Sequence, residues 1–306
     1  SRNPERREHP LRPDVVDELL PVPFPPRSQT RCGRPHLVRD HGDVFGGHPD
    51  LDRPFDLAAE APLRLVVNAA GTRLGVVGHH AAFDGLALVA ILDALTGGPL
   101  PSPVASPPPG EAGSKLPLLA RLARPADRVA PTIGIWPGDA YVTRTIEVTG
   151  PGVTGQLARA CVAAVLDHNT AAGEPLRKVG ITVAVGGPAG VGNVASYRRI
   201  DVEPRHDVAA AVRAALVSTE EPGEQVAAPK ALMAALAPVV ERFSDTILLS
   251  NLGRHRVPGI SRLDFFPVAR GRSAVCFASA AIEDGATTLT IRARDLSPGD
   301  AHRLLH

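Results

Sequence analysis

Three cysteines in 306 residues, Cys32, Cys161 and Cys276, are odd in number and far apart, and none stands in a C-x-x-C pair. That excludes a disulfide framework and points to a reducing, cytoplasmic setting, with the thiols as buried small hydrophobes. Lysine is equally scarce: Lys115, Lys178 and Lys230 stand against a crowd of arginines. The net charge of +1 removes the electrostatic case for a nucleic-acid or anionic-membrane partner. Fully apolar runs such as residues 86–92 fall far short of the ~20 residues a bilayer helix needs. No charged segment followed by an apolar one opens the chain, so no secretory signal is expected. No repeat recurs at a fixed period.

What is present is enough for a large core. Apolar residues make up 44% and charged residues 21%, in a length that suits one large or two modest domains. The 31 prolines are about twice the usual ~5% share and predict irregular stretches. Residues 1–53 have little periodicity and read as a loose arm with one short helix at 14–20. His36, His41 and His48, with Asp40 and Asp43, match no zinc spacing and read as solvated loop. Residues 63–70 and 73–78 are apolar, β-branched runs around Ala-Gly-Thr, which predicts a hairpin. Asp84 stands at an N-cap position before a helical stripe (Leu86, Leu88, Val89, Ile91, Leu92, Leu95) that Gly97-Gly98 ends.

Residues 99–137 are proline-rich, with a short basic amphipathic piece at 116–122. They read as a crossover, dividing the chain into lobes 1–137 and 138–306. In the second lobe, strands are expected at 141–148, 179–185, 246–250, 262–269, 273–281 and 287–294. Helices are expected at 153–168, 206–218, 229–243 and 297–305, the last capped by Ser297 with Pro298 behind it. Alternating helices and strands followed by a strand meander give an α/β class with mixed sheets.

The sharpest local feature is the run Val76-Val77-Gly78-His79-His80-Ala81-Ala82-Phe83-Asp84-Gly85. A strand delivers two adjacent histidines, and a helix begins a few residues later at an acid and a glycine. A rigid, partly desolvated histidine favours its neutral form, which a general base near neutral pH requires. The acid suits a structural brace, and Gly85 a tight turn. Adjacent histidines on a strand point to opposite faces, so no metal site is expected.

His79, His80, Asp84 and Gly85 form an HHxxxDG pattern. It resembles the motif of the condensation-domain and chloramphenicol-acetyltransferase-like acyltransferase superfamily. Three further segments agree in order: Pro54-Phe55-Asp56-Leu57 with Pro62-Leu63-Arg64, Gly192-Asn193, and Ser250-Asn251-Leu252-Gly253. The resemblance covers about residues 54–306. It implies two acetyltransferase-like lobes in a V-shaped pseudo-dimer, with mixed sheets flanked by helices and a tunnel between the lobes. It implies His80 as the general base, His79, Asp84 and Gly85 as motif and structural residues, and Asn193, Ser250 and Asn251 as tunnel-lining groups. The activity implied is a condensation-type acyltransferase of specialised metabolism, related to nonribosomal peptide and polyketide biosynthesis. An acyl group held as a thioester on phosphopantetheine or coenzyme A would pass to an amine or hydroxyl acceptor. The implied partners are an acyl or peptidyl carrier protein and a small-molecule acceptor, with no bound cofactor and a monomeric chain. Ser250 lacks a G-x-S-x-G context and reads as a wall rather than a nucleophile.

The chain also departs from the pattern. The segment before the motif is short, so the first lobe is a shortened one. Gly186-Gly187 stands where an arginine partner for Asp84 is expected, leaving Arg198 and Arg199 as candidates. Two other readings therefore stand beside acyl transfer: single-substrate cyclisation, dehydration or isomerisation on the same scaffold, and a non-catalytic domain that docks a carrier protein.

Overall fold

Asn68 closes the first hairpin with its own side chain. Its Oδ1 accepts from the Arg73 amide (2.8 Å) and its Nδ2 donates to Thr72 Oγ1 (3.0 Å), while Gly71 supplies the positive φ of 68° that the turn needs. The flanking runs are β2 (Leu63–Asn68) and β3 (Leu74–Gly78), antiparallel from Leu63↔Gly78 to Val67↔Leu74. The computed structural model describes residues 36–40 (backbone), 51, 53–68, 71–104, 126–134, 136, 139–148, 152–187, 190–218, 245–268 and 274–306. The expected helices at 14–20 and 229–243 and the basic amphipathic piece at 116–122 lie outside these residues, as do Cys32, His41 and His48.

Two compact units divide the chain. The first comprises the described parts of Ser1–Ser106, Gly187–Val194 and His255–Ser261; the second comprises the rest. In the first, β1 (His36–Asp40) pairs parallel with β2, giving the order β1-β2-β3. That corrects the expectation of a loose arm through residue 53. Every residue of β2 is buried, so its outer backbone groups need a partner strand and cannot be left to water. Helix α1 (Gly85–Leu95) packs Ala87, Ile91, Ala94 and Leu95 against Leu63 and Leu65.

The second unit is a six-stranded mixed sheet. Its strands are β4 (Asp139–Ile146), β5 (Val179–Val185), β6 (Ser196–Val202), β7 (Ile247–His255), β8 (Val275–Ile282) and β9 (Thr287–Arg294), in the order β4-β9-β8-β7-β5-β6. Helices α2 (Val153–Ala171), α3 (Val208–Val217) and α4 (Pro298–Arg303) flank it. Val162, Val165, Ile181, Phe277 and Ile291 are central to its core. Ser297 caps α4 through the Asp300 amide, with Pro298 in the first turn.

Two strand expectations change here. β6 escaped the sequence because Tyr197, Arg199 and Asp201 alternate with only Ile200 and Val202 as apolar signal, on an edge strand. Residues 262–268 form no strand. Both edges of β9 are already taken by β4 and β8, so this segment is tied by threonine side chains instead. Thr288 and Thr290 donate to the Leu263 and Phe265 carbonyls, and Thr143 donates to Asp264 (2.8 Å).

Candidate functional site

Strand β3 ends at Gly78, a position where a side chain would collide with its surroundings. A Cβ on Gly78 would lie 2.6 Å from Leu88 Cδ2 and 3.1 Å from Phe83. The chain then turns. The His79 carbonyl accepts from the amides of Ala82 (2.8 Å) and Phe83 (3.1 Å), and the His79 amide donates to Pro62 O (2.8 Å). The two histidines therefore sit in a tight turn directly after the strand, as the loop expected at residues 79–83 requires. The turn is set by these bonds and not by Gly85, which opens α1 without a positive φ.

The peptide between His80 and Ala81 is held at both ends. Its carbonyl, His80 O, accepts from Asn193 Nδ2 at 2.6 Å. Its N–H, on Ala81, donates to His79 Nδ1 at 3.1 Å. A backbone N–H can only donate, so Nδ1 carries the lone pair, and the neutral His79 ring bears its proton on Nε2. His80 is neither fully buried nor fully exposed. A side chain on this turn has a fixed root and access to solvent, which is what proton transfer to or from a bound molecule needs.

Asp84 fastens the same turn to two other elements. Its Oδ1 accepts from the Ala87 amide (2.9 Å), capping α1. Its Oδ2 accepts from the Val194 amide (3.0 Å), and its own amide donates to Gly192 O (3.1 Å). Residues 190–194 are pinned in turn by the bridge Pro103↔Val191. The carboxylate is buried, and two backbone N–H groups take the place of the expected arginine. Arg199 is committed to Asp245 (2.7 Å) and Asp201 (3.3 Å), and Arg198 Nη1 is buried with no hydrogen-bond partner among the described residues.

His79, His80, Asp84, Gly85 and Asn193 are thus assembled within the first unit. Ser250 and Asn251 belong to β7 in the second. Ser250 is buried, while Asn251 Nδ2 donates to Thr154 Oγ1 (3.0 Å) and its Oδ1 accepts from the Gly253 amide (3.0 Å). That last bond forms beside the positive φ of Gly253.

Sequence reasoning passed over the support behind His79. Phe55 meets the His79 ring edge-to-face, with centroids 5.8 Å apart, and Arg64 stacks on Phe55 at 3.8 Å. Arg64 is fully buried and paired with Glu60, whose carboxyl the guanidinium holds far below its ordinary range, at about 2. The signal lay in an arginine at the second position of a strand whose next three residues are apolar.

No family profile matches the sequence, and no curated protein matches it. Solved structures do resemble it. The epimerization domain from the third module of tyrocidine synthetase B aligns with a TM-score of 0.50 at 14% identity, over 91% of this chain and 78% of that one. A four-domain nonribosomal peptide synthetase bound to AMP and glycine aligns with a TM-score of 0.50 at 12% identity, over 89% of this chain and 26% of that one. At these identities the likeness establishes the fold: the chain has a condensation-domain-like α/β fold.

Proposed function

We propose that the chain is a condensation-type acyltransferase in which His80 is the general base. The observation that carries this reading is the clamped His80–Ala81 peptide, held by Asn193 on one side and His79 on the other. A base works through placement first and proton affinity second, and this turn is fixed from both sides by side chains.

The His80 imidazole accepts the proton of an acceptor amine or hydroxyl as that group attacks a thioester carbonyl. The tetrahedral intermediate then collapses, the carbon–sulfur bond breaks, and the imidazolium returns its proton to the departing thiolate. The donor is an acyl group on phosphopantetheine, carried by an acyl or peptidyl carrier protein, or on coenzyme A. Both are substrates, and the step uses no resident cofactor.

A second reading has one specific support. One of the two solved structures compared above is an epimerization domain. Epimerization inverts one centre of a single bound substrate. His80 would then move a proton within one bound molecule.

The test is to mix the protein with acyl-pantetheine thioesters and a panel of amines and alcohols, reading products by mass. A joined product, formed by wild type and lost in His80→Ala, supports acyl transfer. A donor altered alone, by isomerisation or loss of water, overturns it in favour of the second reading.

A further inference from the structure

Arg64 lies in the middle strand of the first sheet and is fully buried. A guanidinium keeps its charge at any ordinary pH, so such burial is tolerated only when its donors are matched. Here they are matched closely. Nη1 donates to Arg53 O (2.6 Å), Nη2 to Pro54 O (2.8 Å) and Glu60 Oε1 (2.8 Å), and Nε to Glu60 Oε2 (3.0 Å). Glu60 also accepts the Asp56 amide (2.8 Å) and the Arg53 guanidinium. Residues 53–60 are thereby folded around one cation.

The flat face of that cation is covered by Phe55, its carbon 3.8 Å from the ring centroid. Phe55 in turn meets His79 at an interplanar angle of 83°. His79 Nδ1 receives the amide that immediately follows His80. Arg64, Phe55, His79 and the His80–Ala81 peptide therefore form a continuous series of directional contacts. Stacking and edge-to-face contacts both depend on ring orientation, so they transmit an angle and not merely bulk.

We propose that Arg64 is a positioning residue for His80, acting through the Phe55 ring and the His79 imidazole. This rests on the reading of His80 as the base, and the test separates the two. Phe55 is partly exposed and is no partner in the Arg64–Glu60 ion pair, so Phe55→Leu is the primary variant, beside Phe55→Tyr, Arg64→Lys and Arg64→Met.

Two quantities are measured on each folded variant. The first is the tautomer of His79, from long-range proton–nitrogen NMR spectra. The second is kcat and KM for thioester turnover. In wild type and Phe55→Tyr, Nδ1 of His79 stays unprotonated. In Phe55→Leu, Arg64→Lys and Arg64→Met the two tautomers mix. In those variants kcat falls about tenfold or more while KM stays within about twofold, and Phe55→Tyr restores kcat. A folded Phe55→Leu with wild-type tautomer and wild-type kcat overturns the proposal. If wild type turns over no thioester, the acyl-transfer reading falls and the role toward a base falls with it; the tautomer then reports only whether Phe55 orients His79, and a fixed tautomer in Phe55→Leu overturns that too.

Discussion

The carboxylate of Asp84 accepts from two amides that lie far apart in sequence, Ala87 and Val194. Asp84→Ala removes a helix cap, worth ~0.5–2 kcal/mol, and orphans a partly buried donor, worth ~1–3 kcal/mol. Urea unfolding of this variant is expected to show a loss of about 2–4 kcal/mol, and Asp84→Asn a smaller one because one acceptor oxygen survives. Glu60 gives a pH prediction. Its carboxyl is held at about 2, first by the Arg64 hydrogen bond, against an ordinary 4.5. A depressed acid contributes stability above its unfolded value, and that contribution is lost as pH falls from about 4.5 toward 2. The urea midpoint of wild type should drop across that window. Glu60→Gln should start lower at neutral pH and drop less. At this scale His79, His80 and Asp84 were legible, because a polar cluster between a strand and a helix stands out. Their partners were not: Val194 acts through its backbone amide and Gly192 through its carbonyl, and neither atom depends on side-chain identity.

Among the elements, those with a strong apolar pattern were readable, and the edge strands β1 and β6, which lack one, were not. The strands at Val179–Val185 and Thr287–Arg294 match the sequence reading to the residue. Both carry continuous or alternating apolar side chains. β1 and β6 are edge strands whose pairing is dictated by a buried neighbour and not by their own composition. The opposite error, a strand at 262–269, arose because apolar alternation cannot report that the edges of β9 are already occupied. The pinned segment 190–194 supplies a prediction of its own. A Cβ on Gly192 would lie 2.5 Å from Val104 O, a backbone atom that cannot swing aside. Gly192→Ala should destabilise the protein by about 1–3 kcal/mol. Hydrogen exchange should show lost protection at the Val104 and Val191 amides, which donate to Val191 O and Ser102 O (2.9 Å each).

Taken as a whole molecule, the chain folds into two compact units, with the histidine turn in the smaller and both described cysteines in the larger. Burial pushes the Cys276 thiol up to about 12 and raises the Cys161 thiol as well. Neither is a thiolate near neutral pH, so neither should react with a thiol reagent at pH 8 until the protein unfolds. Prompt labelling of either in native protein, located by peptide mass, would show that the second core is open. Among the described residues no helix is long and apolar enough to cross a membrane. The α/β class could be read from alternating patterns. The way His80 is held could not, since it depends on Asn193, which lies 113 residues away in sequence.

The central claim is that the clamped turn presents His80 as a base for acyl transfer. Its most direct test is kcat/KM for thioester turnover in wild type and His80→Ala, with equal melting temperatures confirming that both are folded. A loss of ~10²–10⁴-fold is expected for general-base catalysis. A folded His80→Ala within about tenfold of wild type would contradict the account.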